Sequence, residues 1–265
     1  MTFSLEDAGV VITGAGRGIG EAIARRFADR GARLVLADVD GAAVEAVAAD
    51  LGAEAVVGDV AGEQGVARLI DSGREVLGAI DLLCVNAGIA PGGGAEAAED
   101  VWARAWEVNV MAHVRAVRAV LPDWLARGRG HYLATVSAAG LLTSLGSAPY
   151  SVTKHGVQAF AEWVSATYRH RGITVQTLCP QGVRTKMLEN AGTGGRLVLG
   201  ASAIEPEQVA DSVLEGLADG RFLILPHAEV ADYYAHRAGD TGRWLGAMNK
   251  IQRKLEDAGV EVGKP

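Results

Sequence analysis

Short apolar runs alternate along the chain with longer segments in which apolar residues recur every three or four positions. The runs predict buried strands, and the periodic segments predict amphipathic helices. The predicted strands are 10–12, 34–38, 54–57, 81–85, 132–136, 173–178 and 222–225, and the longest predicted helices are 102–127, 150–169 and 206–219. Because strand and helix alternate without a break in composition, we expect one continuous α/β domain with a parallel sheet over residues 1–265.

The composition argues against several classes of protein. Of the 265 residues, 49% are hydrophobic and 22% are charged, as in an ordinary globular protein. The net charge of −7, without any basic cluster, makes nucleic acids and anionic membranes poor partners. No apolar run approaches the ~20 residues of a membrane span, and the first residues lack the features of a signal peptide. Both cysteines fall in predicted buried strands, so we expect a cytoplasmic protein.

A glycine-rich turn joins the first predicted strand to the first predicted helix. It reads T-G-A-G-R-G-I-G over residues 13–20. Glycines let the backbone approach a pyrophosphate, and the helix that follows offers unpaired N–H groups and a positive dipole end. The turn therefore predicts a phosphate-binding site for a dinucleotide.

The second predicted strand ends in Asp38. A carboxylate at that position can accept both hydroxyls of an adenosine ribose and would repel a 2′-phosphate. Asp38 is alternatively a turn or helix-cap residue, since Asp40-Gly41 also resembles a turn. Arg17 keeps a further alternative open, because its guanidinium could pair with a 2′-phosphate.

Tyr150 and Lys154 are spaced to lie on one face of a helix that begins near Pro149. A cation about 4 Å from a phenol, at an effective dielectric constant of about 20, is worth about 4 kcal/mol. This equals roughly three pKa units before desolvation opposes it. We therefore expect Lys154 to lower the pKa of Tyr150 and to make it a general base. The alternative is an ordinary surface tyrosine beside a lysine.

Two more polar residues are candidates for the same site. Asn109 interrupts the apolar stripe of the helix 102–127, and it is either a satisfied structural amide or part of a site. Ser137 follows the fifth predicted strand, and without a G-x-S-x-G motif a hydrolase function has no support. The histidines are scattered and no H-E-x-x-H or C-x-x-C occurs, so we expect no metal site.

Together these motifs resemble the short-chain dehydrogenase/reductase family, in its single-domain branch, over nearly the whole chain. They occur in the family's order: T-G-x-x-x-G-I-G at 13–20, Asp59-Val60, Asn86-Ala87-Gly88, Asn109, Ser137, Tyr150-x-x-x-Lys154, and then Pro180 to Thr185. The resemblance implies a doubly wound, Rossmann-type three-layer sandwich with a seven-stranded parallel sheet. It also implies that NAD binds at the carboxyl ends of the strands.

The resemblance implies a catalytic tetrad of Asn109, Ser137, Tyr150 and Lys154. Tyr150 would exchange the hydroxyl proton of an alcohol while a hydride moves between its carbon and the nicotinamide. Lys154 would hold the nicotinamide ribose and lower the tyrosine pKa. Ser137 would hydrogen-bond the substrate oxygen, and Asn109 would bind a water that links Lys154 to solvent.

A larger set of residues is implied to contact the cofactor. Asp59 would contact adenine, and Val183 and Thr185 would hold the carboxamide. The whole implied set is Gly14, Arg17, Gly18, Ile19, Gly20, Asp38, Asp59, Val60, Asn86, Ala87, Gly88, Tyr150, Lys154, Pro180, Gly182, Val183 and Thr185. The chain departs from the family at Gln181, where a glycine is usual, so the conformation of that loop stays open.

These expectations combine into an oxidoreductase that transfers a hydride between NAD(H) and a secondary alcohol or ketone. One alternative is an NADP-dependent ketone reductase, and another is a dinucleotide-binding regulator or scaffold without turnover. The glycine-rich segment 186–203 lacks periodicity and predicts a mobile lid. Its apolar residues favour an apolar substrate, and they are Leu188, Leu197, Val198 and Leu199.

The predicted helices also bear on assembly and on the tail. The helices that carry Asn109 and Tyr150 have apolar residues on more than one face, which predicts a homotetramer or a homodimer. These residues include Val117, Val157, Phe160, Val164 and Tyr168. The tail, about 227–265, carries an apolar seam of Trp244, Met248, Ile251 and Leu255. It either packs on its own domain or docks beside the lid and helps to close the substrate pocket.

Overall fold

A computed structural model describes residues 3–191 and 199–260 of the chain. In these residues, seven strands form one sheet in the order β3-β2-β1-β4-β5-β6-β7, and every neighbouring pair is parallel. The strands are β1 (Gly9–Thr13), β2 (Arg33–Asp38), β3 (Glu54–Val57), β4 (Leu82–Val85), β5 (Gly130–Thr135), β6 (Ile173–Leu178) and β7 (Leu223–Ile224). The expected doubly wound parallel sheet is confirmed.

Helices connect the strands and flank the sheet. They are α1 (Gly18–Ala28), α2 (Gly41–Leu51), α3 (Glu63–Leu77), α4 (Glu99–Trp106), α5 (Ala112–Arg127), α6 (Ala139–Leu142), α7 (Ala148–Tyr168), α8 (Lys186–Glu189), α9 (Pro206–Asp219), α10 (Glu229–Gly239) and α11 (Thr241–Asp257). A π-helical turn, Glu107–Met111, joins α4 to α5. Within the described residues, no helix has both the length and the apolarity that crossing a membrane requires.

Two apolar clusters cover the two faces of the sheet. One cluster packs α3, α5 and α7 against the sheet through side chains such as Leu69, Val120 and Val157. The other packs α1, α2 and α9 against the opposite face, with Ile23 and Val213 fully buried. Because both faces are covered, the central strands are apolar on both sides, which is why they read as continuous apolar runs in the sequence.

The strand order reverses between β1 and β4, and the loops that leave these two strands diverge there. Thr13, the last residue of β1, fastens the two loops together. Its Oγ1 accepts hydrogen bonds from the backbone N–H groups of Asn86 and Ala87, each at 3.0 Å. In an open parallel sheet, ligands bind in the crevice at this reversal, outside the carboxyl ends of the strands.

Predicted and observed elements differ where local sequence carries little information. Strands 54–57 and 173–178 and helix 206–219 have the predicted bounds. The predicted helix 102–127 is continuous in direction but contains the π-helical turn around Asn109. The short helix α6 was not predicted, since four residues are too few to show periodicity. At the sheet edge β7 has two residues rather than four, and it pairs with β6 alone.

Two glycines with left-handed backbones allow a matched test of chain packing. A Cβ on Gly172, whose φ is +82°, would lie 1.9 Å from the carbonyl oxygen of Gly128, whereas a Cβ on Gly52, at φ +63°, would meet nothing within 4 Å. Gly52→Ala should cost about 1 kcal/mol of unfolding free energy, from the backbone strain alone. Gly172→Ala should cost about 1–3 kcal/mol more, because the clash is with backbone. Equal losses in chemical denaturation would contradict this account.

Candidate active site

Tyr150 and Lys154 occupy the first turns of α7, with Pro149 at the start of that helix. Proline suits this position because its fixed φ is helical and it has no N–H to leave unpaired. The Lys154 Nζ lies over the Tyr150 ring, 5.6 Å from its centroid. The expected placement of the two side chains on one face of a helix is confirmed.

Lys154 is a buried cation with a backbone partner. Its side chain is 3% exposed, and its Nζ donates a hydrogen bond of 2.9 Å to the carbonyl oxygen of Thr135 in β5. Burial lowers the pKa of Lys154 to about 8. A Cβ on Gly88 would lie 3.4 Å from this Nζ and 3.2 Å from Asn109 Oδ1. Gly88 therefore lies beside the expected catalytic residues, and a larger residue there would crowd the ammonium.

The pKa of Tyr150 shifts in the direction opposite to the one expected from the sequence. Burial raises it, and a side-chain hydrogen bond with Ser137 partly opposes that rise. The expected lowering by Lys154 does not appear, because the ammonium lies over the ring and is directed to the carbonyl of Thr135. In this geometry the phenol is protonated at neutral pH.

Ser137 follows β5 and is held by the neighbouring backbone. Its Oγ accepts a hydrogen bond of 3.1 Å from the N–H of Ala139 and donates one of 3.4 Å to the carbonyl of Pro180. Its φ is +155°, which side-chain-bearing residues rarely adopt. Cys179 is buried nearby, and burial raises its pKa to about 11, so it remains a neutral thiol.

Asn109 connects the loop after β4 to α7. Its Oδ1 accepts from the N–H of Ile89, and its Nδ2 donates to the carbonyl of Ile89, both at 2.9 Å. The same Nδ2 also donates to Thr153 Oγ1 at 3.0 Å. Asn109 is therefore a satisfied amide that joins two parts of the site, and its expected role in binding a water stays a prediction.

The glycine turn after β1 has the close backbone contacts that a phosphate cradle needs. A Cβ on Gly20 would lie 2.1 Å from the carbonyl oxygen of Gly14, and one on Gly18, where φ is +59°, would lie 3.1 Å from the Thr185 methyl group. Asn86 Nδ2 holds the turn by donating to the carbonyl of Gly14 at 3.1 Å. No side chain caps the first turn of α1, whose N-cap residue is Arg17, so its N–H groups can face an anion.

Asp38 and Asp40 divide the roles that the sequence left open. The Asp38 carboxylate accepts hydrogen bonds of 3.0 Å from the N–H groups of Gly16 and Asp40, so it faces the glycine turn. Asp40 caps α2 by accepting from the N–H of Ala43 at 3.2 Å. Asp40 also pairs with the Arg17 guanidinium. The arginine that could meet a 2′-phosphate is therefore engaged by a carboxylate.

Asp59 and Val60 follow β3 at the rim of the same edge of the sheet. The Asp59 carboxylate accepts from the N–H of Ala61 at 2.9 Å and pairs with Arg104 at 3.0 Å. These hydrogen bonds, the first above all, hold the pKa of Asp59 below its usual value. The side chain of Val60 is buried. Contact of Asp59 with adenine stays a prediction.

The residues just before the predicted lid are hydrogen-bonded to the residues just after it. Val183 and Ile204 form a parallel bridge, in which Ile204 N–H donates to the carbonyl of Gly182 at 3.1 Å. The side chains of Arg184 and Glu205 pair at 2.9 Å just beyond this bridge. Of the lid itself, the structure describes the short helix α8 and the residues around Leu199. Residues 192–198, including Leu197 and Val198, lie outside the described residues.

Gln181 does not need the conformation that glycine allows. It is not among the residues with positive φ, so the departure from the usual family pattern is tolerated by the backbone. Its N–H donates to the ring of His227, a buried histidine that sequence reasoning missed. The sequence carried no signal for it, because His227 becomes a neighbour of this loop only through the pairing of β6 with β7.

The tail packs against the segment that follows Ser137. Arg237 in α10 donates to the carbonyl of Leu141 in α6, and it lies 3.2 Å from His155 Nε2 in α7. The apolar seam on α11 is half-buried at Trp244. The ring of Trp244 lies against that of Tyr233, with centroids 6.2 Å apart and the two planes tilted by 42°. These contacts favour packing on the same chain, and closure of the substrate pocket by the tail stays a prediction.

Comparison with known proteins identifies the family. The sequence model described as "short chain dehydrogenase" matches residues 8–194. The chain belongs to the short-chain dehydrogenase/reductase family. It is therefore an oxidoreductase, and the resemblance seen in the motifs is confirmed.

Characterised relatives and solved structures agree with this family. The chain is 37% identical over 234 residues to 1-deoxy-11-beta-hydroxypentalenate dehydrogenase of Streptomyces exfoliatus, covering 85% of each protein. It is 36% identical to meso-2,3-butanediol dehydrogenase of Serratia marcescens, covering 91% of this chain and 90% of the relative. A short-chain dehydrogenase/reductase from Burkholderia phymatum, solved in complex with NAD, superposes with a TM-score of 0.78 at 29% identity, covering 99% of each chain.

The lowered pKa of Lys154 predicts a rise in stability with pH. Its folded pKa of about 8 lies below the ordinary 10.5, so between these values the unfolded chain binds a proton that the folded protein does not. The unfolding free energy should then rise by about 2 kcal/mol from pH 8 to pH 10, relative to Lys154→Met. Urea denaturation of both proteins across this range tests it. Parallel pH profiles would show that Lys154 is not desolvated.

Proposed function

We propose that this short-chain dehydrogenase/reductase is NAD-dependent and interconverts a secondary alcohol and a ketone. The observation that carries the proposal is the convergence of Ser137, Tyr150 and Lys154 at the carboxyl end of the sheet. Ser137 interacts with the Tyr150 hydroxyl closely enough to oppose part of the rise in its pKa, and the Lys154 Nζ lies 5.6 Å from the centroid of the tyrosine ring. A proton donor, a hydroxyl and a cation grouped at the site where dinucleotides bind suit carbonyl reduction and its reverse.

The residues present fit a nicotinamide dinucleotide. The glycine turn and the uncapped start of α1 would hold the pyrophosphate, and Asp38 would accept the hydroxyls of the adenosine ribose. Lys154 would hold the nicotinamide ribose, and Val183 and Thr185 would face the carboxamide. When bound, the dinucleotide supplies or accepts the hydride.

Tyr150 would move the proton. In the direction of reduction, its phenol donates the Oη proton to the substrate oxygen, and in the direction of oxidation the phenolate takes it back. The raised pKa of Tyr150 favours the protonated form at neutral pH, which is the form that reduction needs. Lys154, with a pKa of about 8, is still mainly protonated at neutral pH, so it would hold the hydroxyls of the nicotinamide ribose as a cation. Ser137 would hydrogen-bond the substrate oxygen.

NAD is favoured over NADP by the arrangement of three side chains. The Asp38 carboxylate lies beside the glycine turn, where a 2′-phosphate would meet its negative charge. Arg17, which could otherwise neutralise that phosphate, is paired with Asp40. The solved relative from Burkholderia phymatum holds NAD, in keeping with this choice.

The substrate class follows from the chemistry of the site and from the relatives. Both relatives named above are dehydrogenases whose names specify a hydroxylated compound or a diol. A secondary alcohol or its ketone is the common class. A scaffold without turnover is disfavoured, because it would have no need for a buried ammonium beside a half-buried phenol.

We also propose that the protein assembles as a homodimer or homotetramer, mainly through other residues than those expected. Val117, Val157 and Val164 are buried within their own chain, and Phe160 and Tyr168 are half-buried against the same core, so these five do not mark a second apolar face. Trp163, 55% exposed, instead supplies apolar surface on α7. With it are Trp106 and Val152, which are also exposed.

Tyr150→Phe tests the proton transfer. The variant should lose about 10²–10⁴-fold in kcat, because the ring remains but the transferable proton is gone. The dissociation constant for NADH should stay within about twofold, a change below 1 kcal/mol. Lys154→Ala should lower kcat and also raise the dissociation constant for NADH. Retention of more than about a hundredth of the wild-type kcat in the Phe variant would contradict the role of Tyr150.

Asp38→Ser tests the choice of cofactor. The wild type should prefer NAD over NADP by about tenfold or more in kcat/KM, equivalent to about 1.4 kcal/mol, and Asp38→Ser should narrow that gap. Asp40→Ser is the matched comparison, because serine can still cap α2 and the Asp38 carboxylate stays in place, while Arg17 loses its partner. It should narrow the preference for NAD less than Asp38→Ser does, since Asp38 still repels a 2′-phosphate. A wild type that prefers NADP would overturn this assignment.

A further inference from the structure

His227 is a buried histidine that lies just beyond β7 and is 4% exposed. Both of its ring nitrogens bind the backbone of two consecutive residues in the loop after β6. Its Nδ1 accepts from the N–H of Gln181 at 3.2 Å, and its Nε2 lies 3.1 Å from the carbonyl oxygen of Gly182. Because a peptide N–H only donates and a carbonyl only accepts, this pair of contacts specifies a neutral ring with its proton on Nε2.

The same loop is packed from the opposite side by the end of the lid. The carbonyl of Gly182 also accepts from the N–H of Ile204 at 3.1 Å, so it takes one donor from each side. A Cβ on Gly182 would lie 2.3 Å from the carbonyl oxygen of Leu199. The backbone at Gly182 is therefore confined between His227 and residues 199–204. Loss of the histidine would free one of these two sides.

The start of the loop is held at both polar atoms of one peptide group. The peptide between Pro180 and Gln181 donates its N–H to His227, while its carbonyl accepts from the N–H of Ala138 at 2.8 Å and from the hydroxyl of Ser137 at 3.4 Å. Ser137 has a further contact outside this peptide, because its Oγ accepts from the N–H of Ala139 at 3.1 Å. Replacement of His227 therefore leaves Ser137 with partners of its own, whereas the part of the loop that continues to Val183 and Thr185, next to the glycine turn, loses two backbone contacts.

We propose that His227 is a positioning residue for cofactor binding, which fixes the N–H of Gln181 and the carbonyl of Gly182 so that Val183 and Thr185 face the nicotinamide end of the site. This proposal rests on the proposed NAD-dependent function. It assigns a role to a histidine that follows β7 and whose effect passes through the loop after β6.

Two substitutions separate the hydrogen bonds from the volume of the ring. In His227→Gln the amide oxygen can accept from the N–H of Gln181, and the amide nitrogen can donate to Gly182. His227→Leu keeps an apolar side chain of comparable size and makes neither bond. The dissociation constant for NADH, measured by fluorescence titration, should rise about tenfold or more in the Leu variant and about threefold or less in the Gln variant.

Steady-state kinetics supply the second readout. At saturating NADH the kcat of His227→Leu should stay within about fivefold of the wild type, because Ser137 is also held by the N–H of Ala139 and Tyr150 is held by α7. A histidine that served stability alone would lower the melting temperature and leave the dissociation constant unchanged. That result, or equal weakening in the Gln and Leu variants, would overturn the proposal.

His131 provides a matched control. It is also buried, at 3% exposure, and it pairs with the side chain of Gln176 at 2.9 Å. It lies near the start of β5, at the amino ends of the strands, whereas the site lies at their carboxyl ends. His131→Leu should lower stability and leave NADH binding unchanged. Weaker NADH binding in this control, to the same degree as in His227→Leu, would count against a specific role for His227.

The experiment distinguishes failure of this inference from failure of the proposed function. A wild type that neither binds NADH nor turns over alcohols or ketones would overturn both. A wild type that binds and reacts, with an unchanged dissociation constant in His227→Leu, would overturn the positioning role alone. If the Leu variant does not fold, His227→Asn replaces it, since its shorter amide cannot reach both backbone groups. It should show the same weakening, and wild-type affinity there would overturn the inference.

Discussion

The site depends on keeping a positive charge out of water. Lys154 is buried, and a buried ammonium is costly unless it is hydrogen-bonded. The carbonyl of Thr135 at the end of β5 meets that need, which ties α7 to the centre of the sheet. Space beside the charge comes from Gly88, and Asn109 fixes the adjoining loop to α7. Three segments that are distant in sequence are thus held together around the side chain of Lys154.

Much of the fold could be predicted from the sequence, because a doubly wound sheet imposes patterns that are visible within short segments of the chain. Strands covered on both faces must be apolar throughout, and glycine turns must follow them where a helix starts close by. The motif residues could likewise be assigned to strand ends. What the sequence lacked was long-range detail. The π-helical turn at Asn109 and the contacts of His227 arise from packing between elements far apart in the chain.

Electrostatics was the least predictable part of the site. From spacing alone, Lys154 was expected to lower the pKa of Tyr150, but burial of the phenol dominates and raises it. The spacing of two groups on a helix gives the distance between them. Their pKa values also depend on burial, on other charges and on hydrogen bonds, which the spacing does not show. Asp38 and Asp40 show the same limit. Two aspartates two positions apart divide between the glycine turn and a helix cap, and only the three-dimensional arrangement decides which does which.

The two thiols of the chain have a practical consequence. Cys84 lies in the central strand β4 and Cys179 directly follows β6, and both are buried with pKa values raised by desolvation. Alkylating probes react with exposed thiolates, so the two buried native thiols should react with them only slowly. A single cysteine introduced on the exposed surface of α8 would therefore accept a fluorophore selectively. The movement of that surface on addition of a dinucleotide could be followed without first removing either native cysteine.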